Sequence, residues 1–336
     1  MTRSVDDQAI ATTTAEGFLV PIRNTAGPAL PSLIARAGKR AAWRFVEFFT
    51  VNIRNPNTRA AYGRAAGAFL RWCEGQGISR LEDVQPVQVA AYIERLQAER
   101  SAPTVKQHLA CIRMLFDWLV TGQVIPSNPA HAVRGPRHSV SKGSTPVLAS
   151  AEASTLLAGM DVSSVVGLRD RALIAVMTYT FARVSAVVGL RVEDYYSQKK
   201  RWWLRLHEKN GKVNEMPCHH KLEEYLDAYL QAAGIARDRK GWLFRSAIRK
   251  TKQLTAAAMT RKDVWCMVRR RAADAGIETP IGCHSFRATG ITDYLTNGGR
   301  IEVAQKMAGH SNAKTTGLYD RRNDDVSVGE VERIGI

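Results

Sequence analysis

The sequence CHSFRATGITDYLTNGGRIEVAQKMAGHSNAKTTGLYD, residues 283–320, gathers several chemically reactive side chains into one short stretch. His284 and Arg287 are three residues apart, a spacing that puts both side chains on one face of a helix. From one face, an imidazole and a guanidinium can converge on a single phosphate, to which the guanidinium offers two parallel donors. His310 follows, and Tyr319, nine residues after it, can supply an attacking oxygen. The stretch therefore predicts a phosphate clamp with a nucleophile beside it.

The length and charge of the whole chain narrow its class. A chain of 336 residues predicts two domains rather than one small core, and 45% hydrophobic residues are typical of a globular protein. The 48 Lys and Arg residues outnumber the 31 Asp and Glu residues, giving a formal net charge of +17. Such an excess is typical of nucleic-acid-binding proteins, although adaptation for solubility or for adhesion to a membrane surface would also produce it.

Cysteine usage and hydropathy predict the compartment. The five cysteines are an odd number without Cys-x-x-Cys spacing, which is typical of reduced thiols in a cytosolic protein. The N-terminal residues carry early acids and lack the apolar core of a signal peptide, and no run of 18 apolar residues predicts a membrane span. We therefore expect a cytoplasmic protein without a membrane partner.

The first part of the chain predicts a tail followed by a helical domain. Residues 1–27 are rich in Thr and Ala without a clear period, which is typical of a flexible tail. Apolar periodicity and end signals then predict four helices, the second of them capped by Asn57 and stopped by Gly75. The predicted spans of the first, third and fourth helices are 32–51, 86–97 and 104–121. Together these helices predict a compact domain over 28–125.

Residues 126–148 are predicted to be a basic linker, because Pro, Gly, Ser and basic side chains replace the apolar periodicity. Such a segment can lie across a phosphate backbone. Basic residues on the outer faces of the second and fourth helices, in the linker and in a later hairpin are candidates for DNA contacts as a set, whereas each alone fits an ordinary solvated surface. These residues are Arg59, Arg64, Lys106, Arg113, Arg134, Arg137, Lys142 and Lys212.

The rest of the chain predicts a mainly helical domain with one small antiparallel sheet. The alternating run 202–206, the Asn210-Gly211 turn and the return over 213–217 predict a β-hairpin. Helical patterns surround it. Their predicted spans are 150–160, 168–180, 220–233, 256–275, 285–297 and 302–308, with a last short helix after Asp324.

Several ordered motifs of this second half resemble those of the tyrosine recombinases, also called the phage-integrase family of site-specific DNA recombinases. ARVSAVVGLRVEDY resembles the first-arginine motif of the family, with Arg183 in the arginine position, and LHEKNGKVNEMP resembles its hairpin motif, with Lys209 in the lysine position. The motifs HSFR, AGH and LYD supply the remaining family positions at His284, Arg287, His310 and Tyr319. NTRAAYGRAAGAFLRWC resembles, more weakly, the helical core-binding domain of these enzymes.

The resemblance implies a fold that is mainly α with a small antiparallel β-sheet. A SAM-like helical N-terminal domain would precede an α+β catalytic domain over 149–322, and residues 323–336 would form a terminal helix or tail that contacts another subunit. A homotetramer would assemble on double-stranded DNA, whereas the free protein would be a monomer or a weak dimer. Accessory DNA-bending proteins could assist. Integration, excision or transposition of a mobile genetic element is the implied biology.

The implied chemistry is physically coherent. A tyrosine oxygen can hold the DNA phosphate as an ester between cutting and rejoining, so Tyr319 would form a 3′-phosphotyrosine and release a 5′-hydroxyl. Charge that develops on the phosphoryl oxygens must be met by fixed cations, a role suited to Arg183 and Arg287. His284 and His310 can bond the phosphoryl oxygens or relay the tyrosine proton. Lys209 would be the acid for the leaving 5′ oxygen.

Some features leave alternatives open. The family usually has an acidic residue three positions after its first arginine, where this chain has Ala186, and Glu193 or Asp194 could substitute for it. The cysteines and histidines at 218–220 and 283–284 match no zinc module, and no Walker-type glycine loop is present, so we expect neither a metal nor a cofactor. A type IB topoisomerase or a DNA-binding regulator without catalysis are the rival interpretations.

Overall fold

The computed structural model describes residues 30–139, 143–208, 211–248, 250–310 and 312–320, together with residues 332 and 335. The chain divides into two compact units, Met1–Ser139 and Val140–Ile336. Across the described residues, none of the helices combines the length and the apolar character that a membrane span requires. The predicted flexible tail and the predicted last helix after Asp324 lie outside these residues.

The first unit is helical, and its core lies mainly between α3 and α5. Its α-helices are α1 (Ser32–Arg36), α2 (Lys39–Glu47), α3 (Pro56–Gly75), α4 (Pro86–Glu99) and α5 (Ala102–Thr121). Phe69 of α3 and Phe116 of α5 are fully buried and meet edge to face, with ring centroids 6.0 Å apart. After α5 the chain continues to pack on this core, since Ala130 and Val133 are buried within it.

Two local predictions in this unit are wrong. The predicted single helix over 32–51 is interrupted, because Gly38 has φ +92°, a backbone conformation outside the helix that glycine adopts without strain. The chain then ends α2 in a π-helical turn, Phe48–Asn52. Asn57 is not the cap of α3. Asn55 is, since its Oδ1 accepts hydrogen bonds from the two following helical amides and Pro56 occupies the first helical position.

The second unit combines helices with two small antiparallel sheets. Its helices are α6 (Ser150–Ala158), α7 (Val165–Tyr179), α8 (Val184–Val188), α9 (His220–Ala233), α10 (Arg261–Asp274), α11 (Cys283–Thr296), α12 (Ile301–Ala308) and α13 (Ala313–Gly317). Its strands are β1 (Tyr195–Gln198), β2 (Arg201–His207), β3 (Val213–Pro217), β4 (Arg245–Ala247) and β5 (Leu254–Ala258). The sheet orders are β1-β2-β3 and β4-β5. The predicted fold class, mainly α with small antiparallel β-structure, is confirmed.

The β4-β5 sheet corrects the expectation of one sheet and of a helix over 256–275. Leu254–Ala258 is a strand, although its alanines favour a helix, because it pairs with β4. The helix α10 begins only after Thr260, whose hydroxyl accepts from the amide of Asp263 while the Asp263 carboxylate accepts from the Thr260 amide. Tertiary pairing and this capping box therefore outweigh the alanine propensity.

Strand β2 anchors the three-stranded sheet to the core of the second unit. Leu204 pairs with Tyr195 on β1 and with Met216 on β3. Leu204 and Leu206 are fully buried while their neighbours on the strand are less so, as the two-residue period of a strand requires. The hairpin that follows β2 is thereby held against the helices that carry the candidate site.

A buried carboxylate ties α7 to α10. Asp170 is fully buried and accepts hydrogen bonds from Arg169 Nη2 at 2.7 Å and from Arg271 Nη2 at 2.8 Å. Arg169 also donates to the carbonyl of Arg245 at 2.8 Å, so the network reaches β4. Because each buried charge has a partner, the network fixes α7, the helix that leads into the segment carrying Arg183.

Candidate active site

Helix α11 presents His284 and Arg287 to the site, as their spacing predicts. Arg287 is only 1% exposed, whereas His284 is exposed at the start of the helix. The helix lies very close to α7, because a Cβ on Gly290 would stand 2.2 Å from the carbonyl oxygen of Thr178. Glycine is required at this close contact between the two helices.

The guanidinium of Arg287 is held by three acceptors from distant parts of the unit. Its Nη1 donates to the carbonyl of Phe181, and its Nη2 donates to the carbonyl of Ala308 at 2.5 Å and to Nε2 of His310 at 2.6 Å. Phe181 has φ +55°, an uncommon and energetically costly backbone conformation for a non-glycine residue, and its carbonyl accepts the hydrogen bond from Arg287. Burial lowers the pKa of Arg287 to about 10, and the positive charge of Arg183 contributes.

His310 enters the site at the end of α12. Gly309 takes a left-handed conformation with φ +60°, which ends the helix and turns the chain inward. Because a guanidinium only donates, Nε2 of His310 must be the acceptor, and its Nδ1 therefore donates to Thr316 Oγ1 at 3.0 Å. Burial, with Arg287 beside it, lowers the pKa of His310 to about 4. The ring is thus neutral at pH 7 and orients the guanidinium.

Tyr319 completes the cluster from the turn after α13. Its hydroxyl lies 2.9 Å from Nε2 of His284, and its ring stacks on that of His310 with centroids 5.6 Å apart. Thr292 of α11 donates to the Tyr319 carbonyl at 2.8 Å, which fixes the backbone. Although its side chain is partly exposed, His284 is desolvated by the neighbouring groups of the cluster, which lowers its pKa, and the positive charge of Arg287 contributes. A neutral His284 can therefore accept the phenolic proton.

Arg183 stands immediately before α8 and contacts a carboxylate that the sequence did not single out. Its Nη1 donates to Glu208 Oε2 at 2.7 Å, and the two side chains are 37% and 6% exposed. Ala186 is buried on α8, and Asp194 is engaged elsewhere, with the backbone amide of Arg191 at 2.8 Å and with His207 at 3.1 Å. The negative charge beside Arg183 therefore comes from Glu208. The sequence offered only a weak signal for Glu208, namely an acidic residue among the basic residues of the hairpin motif.

The remaining predicted positions differ in exposure. Lys209 and Lys142 lie outside the described residues. Arg59 is half-buried and donates twice to the carbonyl of Ile53, and Arg113 is half-buried and donates to the carbonyls of Ala130 and Val133, so part of each guanidinium is used within the first unit. The other candidates for DNA contacts are exposed. They are Arg64, Lys106, Arg134, Arg137 and Lys212.

Two family models match the chain. The model of the phage integrase family matches residues 146–325, which include the described members of the cluster, and the model of the phage integrase N-terminal SAM-like domain matches residues 44–123. Among curated proteins, tyrosine recombinase XerD of Shewanella oneidensis is 28% identical over 264 residues, 78% of this chain and 85% of that protein. XerD of Pseudomonas aeruginosa is 28% identical over 266 residues, 78% of this chain and 86% of that protein.

Solved structures share the fold at lower identity. The XerH site-specific recombinase bound to a palindromic difH substrate, in a post-cleavage complex, superposes with a TM-score of 0.69 at 17% identity, covering 89% of this chain and 85% of that one. A lambda integrase dimer bound to a COC′ core site superposes with a TM-score of 0.64 at 17% identity, covering 86% and 79%. These likenesses show that the chain shares the fold of these two proteins.

Proposed function

Because the chain belongs to the phage integrase family and is a tyrosine recombinase, we propose that it cuts and rejoins duplex DNA at a specific site through a 3′-phosphotyrosine at Tyr319. The observation that carries this proposal is the contact between the Tyr319 hydroxyl and His284 Nε2, at 2.9 Å, beside the buried guanidinium of Arg287. A nucleophile, a neutral base and a fixed cation within one cluster are what phosphoryl transfer to tyrosine requires.

In the proposed reaction, His284 takes the proton of Tyr319 as the phenolic oxygen attacks the phosphorus. The lowered pKa of His284 supports this role, since it keeps the imidazole unprotonated and able to accept at pH 7. The bond from phosphorus to the 5′ oxygen breaks, and the leaving oxygen takes a proton from Lys209. Attack by the 5′-hydroxyl of another strand then reverses these steps and releases Tyr319.

The charge that develops on the phosphoryl oxygens would be met by Arg287 and Arg183. The three acceptors around Arg287 hold its guanidinium before DNA arrives, so little reorganisation is needed during the reaction. Its Nε is buried and has no partner among the described residues. His310 acts here by holding Arg287 rather than by transferring a proton.

Membership of the family also supports a proposal for how the protein binds DNA, assembles and serves the cell. The helical region 28–125, the linker 126–148 and the catalytic region 149–322 would hold a specific duplex site, with the predicted basic residues on its phosphates. Four subunits would pair two sites and exchange strands through a four-way junction, with residues 323–336 contacting a neighbouring subunit. The reaction would serve integration, excision or transposition of a mobile element in the bacterial cytoplasm, at the nucleoid, with accessory DNA-bending proteins.

Strand exchange between two recombination sites tests this function. The purified protein is given a supercoiled plasmid with two copies of the DNA that flanks its gene. We expect products with exchanged flanks, a four-way junction intermediate and four subunits per pair of sites. Relaxation of supercoils by a monomer, without exchanged flanks, would instead identify a topoisomerase. Tight, salt-sensitive binding with neither product would identify a DNA-binding regulator.

A further inference from the structure

Glu208 is a buried carboxylate placed against one of the two cationic groups of the site. Its side chain is 6% exposed, and its Oε2 lies 2.7 Å from Nη1 of Arg183. A charged group at this depth is costly unless it is paired, so the burial of Glu208 depends on Arg183. The influence of Glu208 extends further, because its negative charge partly offsets the effects that lower the pKa of Arg287.

The backbone of Glu208 closes the β2–β3 hairpin. Its amide donates to the carbonyl of Lys212 at 2.7 Å, one step beyond the last pair of the ladder, His207 with Val213. The same residue thus bonds the hairpin through its main chain and Arg183 through its side chain.

Arg183 depends on this contact more than Arg287 depends on any one of its own. Arg287 has three acceptors, two of them backbone carbonyls, whereas Glu208 is the acceptor found for Arg183 among the described residues. The Arg183 side chain is also 37% exposed, so packing constrains it less. An exposed arginine loses considerable side-chain entropy when it is fixed, and an ion pair with a buried acid supplies the opposing free energy.

We propose that Glu208 is a positioning residue for strand cleavage: its carboxylate holds Arg183 in the arrangement that receives the scissile phosphate. The inference rests on the proposed function. Glu208 touches neither the nucleophile nor the leaving group, and it acts through Arg183. Its negative charge lies close to where a phosphate would sit, so Glu208 weakens DNA binding slightly while it speeds cleavage.

Because Glu208 is expected to act in opposite directions on DNA binding and on cleavage, measuring both tests the proposal. Single-turnover cleavage of a nicked duplex and the Kd for the same duplex are measured for the wild type, Glu208→Ala, Glu208→Gln and Glu215→Ala. Glu215 is the matched control, because it pairs with Arg205 at 2.9 Å on the same sheet but both side chains are exposed. We expect Glu208→Ala to cleave about 10- to 100-fold more slowly, as loss of an orienting partner typically costs, with Kd unchanged or lower.

The other variants separate position from charge. Glu208→Gln keeps an oxygen that can accept from Arg183, so it should recover part of the lost rate, and Glu215→Ala should match the wild type. Faster cleavage by Glu208→Ala would overturn the proposal, because the carboxylate would then be a block that leaves when DNA binds. A raised Kd with an unchanged cleavage rate, or wild-type values throughout, would overturn it too.

A measurement without DNA keeps the inference separate from the proposed function. The mobility of the Arg183 guanidinium is followed by ¹⁵Nε relaxation in the free protein, with Arg183→Lys to assign the signal. We expect restricted motion in the wild type and in Glu215→Ala, and free motion in Glu208→Ala. Equal mobility in all three would contradict the positioning role. A wild type that never cleaves would contradict the proposed function alone, since the relaxation data would still decide the role of Glu208.

Discussion

The two arginines of the site are held in opposite ways. Arg287 is buried on α11 and bonds two backbone carbonyls and His310, all supplied by other segments of the folded unit. Arg183 is partly exposed and, among the described residues, bonds the carboxylate of Glu208 on the hairpin. The position of Arg287 is therefore fixed by folding itself, whereas that of Arg183 depends on an ion pair that DNA can influence.

This difference indicates that Arg287 is held rigidly and that Arg183 can move. Backbone carbonyls cannot rotate away without moving α12 or the segment at Phe181, so the position of Arg287 is as stable as the core around it. An ion pair at a hairpin can open at much lower cost, because partial exposure lets water replace the partner. We expect changes on the α11 side to affect both stability and cleavage, and changes on the hairpin side to affect mainly cleavage and DNA binding.

The largest expected effect comes from conservative replacement of the two arginines. Arg287→Lys keeps the charge but cannot bond the carbonyls of Phe181 and Ala308 together with His310, so cleavage should fall by about 10²- to 10³-fold. Arg183→Lys can still pair with Glu208 and should lose roughly tenfold, about the value of one charge-assisted hydrogen bond. Single-turnover cleavage rates give both values. Equal losses of cleavage rate in the two variants would show that Arg287 and Arg183 are not held in different ways.

Acidification should lower the free energy of unfolding through His310, the histidine that bonds Arg287. Its pKa is about 4 in the folded protein and 6.5 as its ordinary value, so the unfolded chain takes up a proton first as the pH falls. The contribution to stability is complete above pH 6.5 and decreases as the pH drops through that value toward 4, by roughly 2–3 kcal/mol at pH 4.5.

Urea unfolding at pH 7.5 and at pH 4.5, for the wild type and for His310→Asn, checks this expectation. The wild type should lose the larger free energy of unfolding between the two pH values, because other titrating groups, including His284, contribute to both proteins. The same loss in both proteins would show that His310 is not held in its neutral form.

Alanine substitutions of two glycines, Gly290 on α11 and Gly211 in the hairpin, test how sensitive the backbone is on each side of the site. Gly290→Ala places a methyl group against the Thr178 carbonyl and the Phe181 ring, so overpacking should lower the free energy of unfolding by about 1–3 kcal/mol and slow cleavage as α11 shifts. Gly211→Ala in the hairpin meets no atom within 4 Å, and only its φ of +74° costs energy, about 1 kcal/mol. Thermal unfolding and cleavage assays decide whether the buried contact is the more sensitive one.

The smallest expected effect is at Lys212, exposed on the hairpin. If it contacts a phosphate as predicted, Lys212→Ala should weaken DNA binding a few-fold and reduce the slope of log K against log salt by about one. Lys221, an exposed lysine on α9, serves as the matched control and should leave that slope unchanged. An unchanged slope for Lys212→Ala would show that Lys212 does not contact a DNA phosphate.

The sequence was most informative where signals are local or ordered along the chain. The spacing of His284 and Arg287 predicted one helical face, and α11 carries both. The mainly helical fold class followed from periodicity and from the order of motifs. The sequence could not predict how deeply Arg287 is buried, because its acceptor at Phe181 is 106 residues away. The pairing of Glu208 with Arg183, 25 residues apart, likewise exists only in the folded unit.

Local predictions failed where a tertiary contact or an unusual backbone decided the outcome. The helix over 32–51 breaks at Gly38 because of its positive φ, which apolar periodicity does not reveal. Leu254–Ala258 pairs as a strand despite alanine-rich sequence. Asp194, which lies within the first-arginine motif, is engaged with Arg191 and His207, so proximity along the chain was a poor guide to the acid beside Arg183.

The identity of the nucleophile is the central claim, and trapping the covalent adduct on a nicked suicide duplex tests it directly. The wild type, Tyr319→Phe and Tyr294→Phe are compared on a denaturing gel; Tyr294 is the matched control because it lies on α11 and packs against Phe181. We expect an adduct with the wild type and with Tyr294→Phe, and none with Tyr319→Phe. An adduct that persists in Tyr319→Phe would contradict the assignment of the nucleophile and of the cluster built around it.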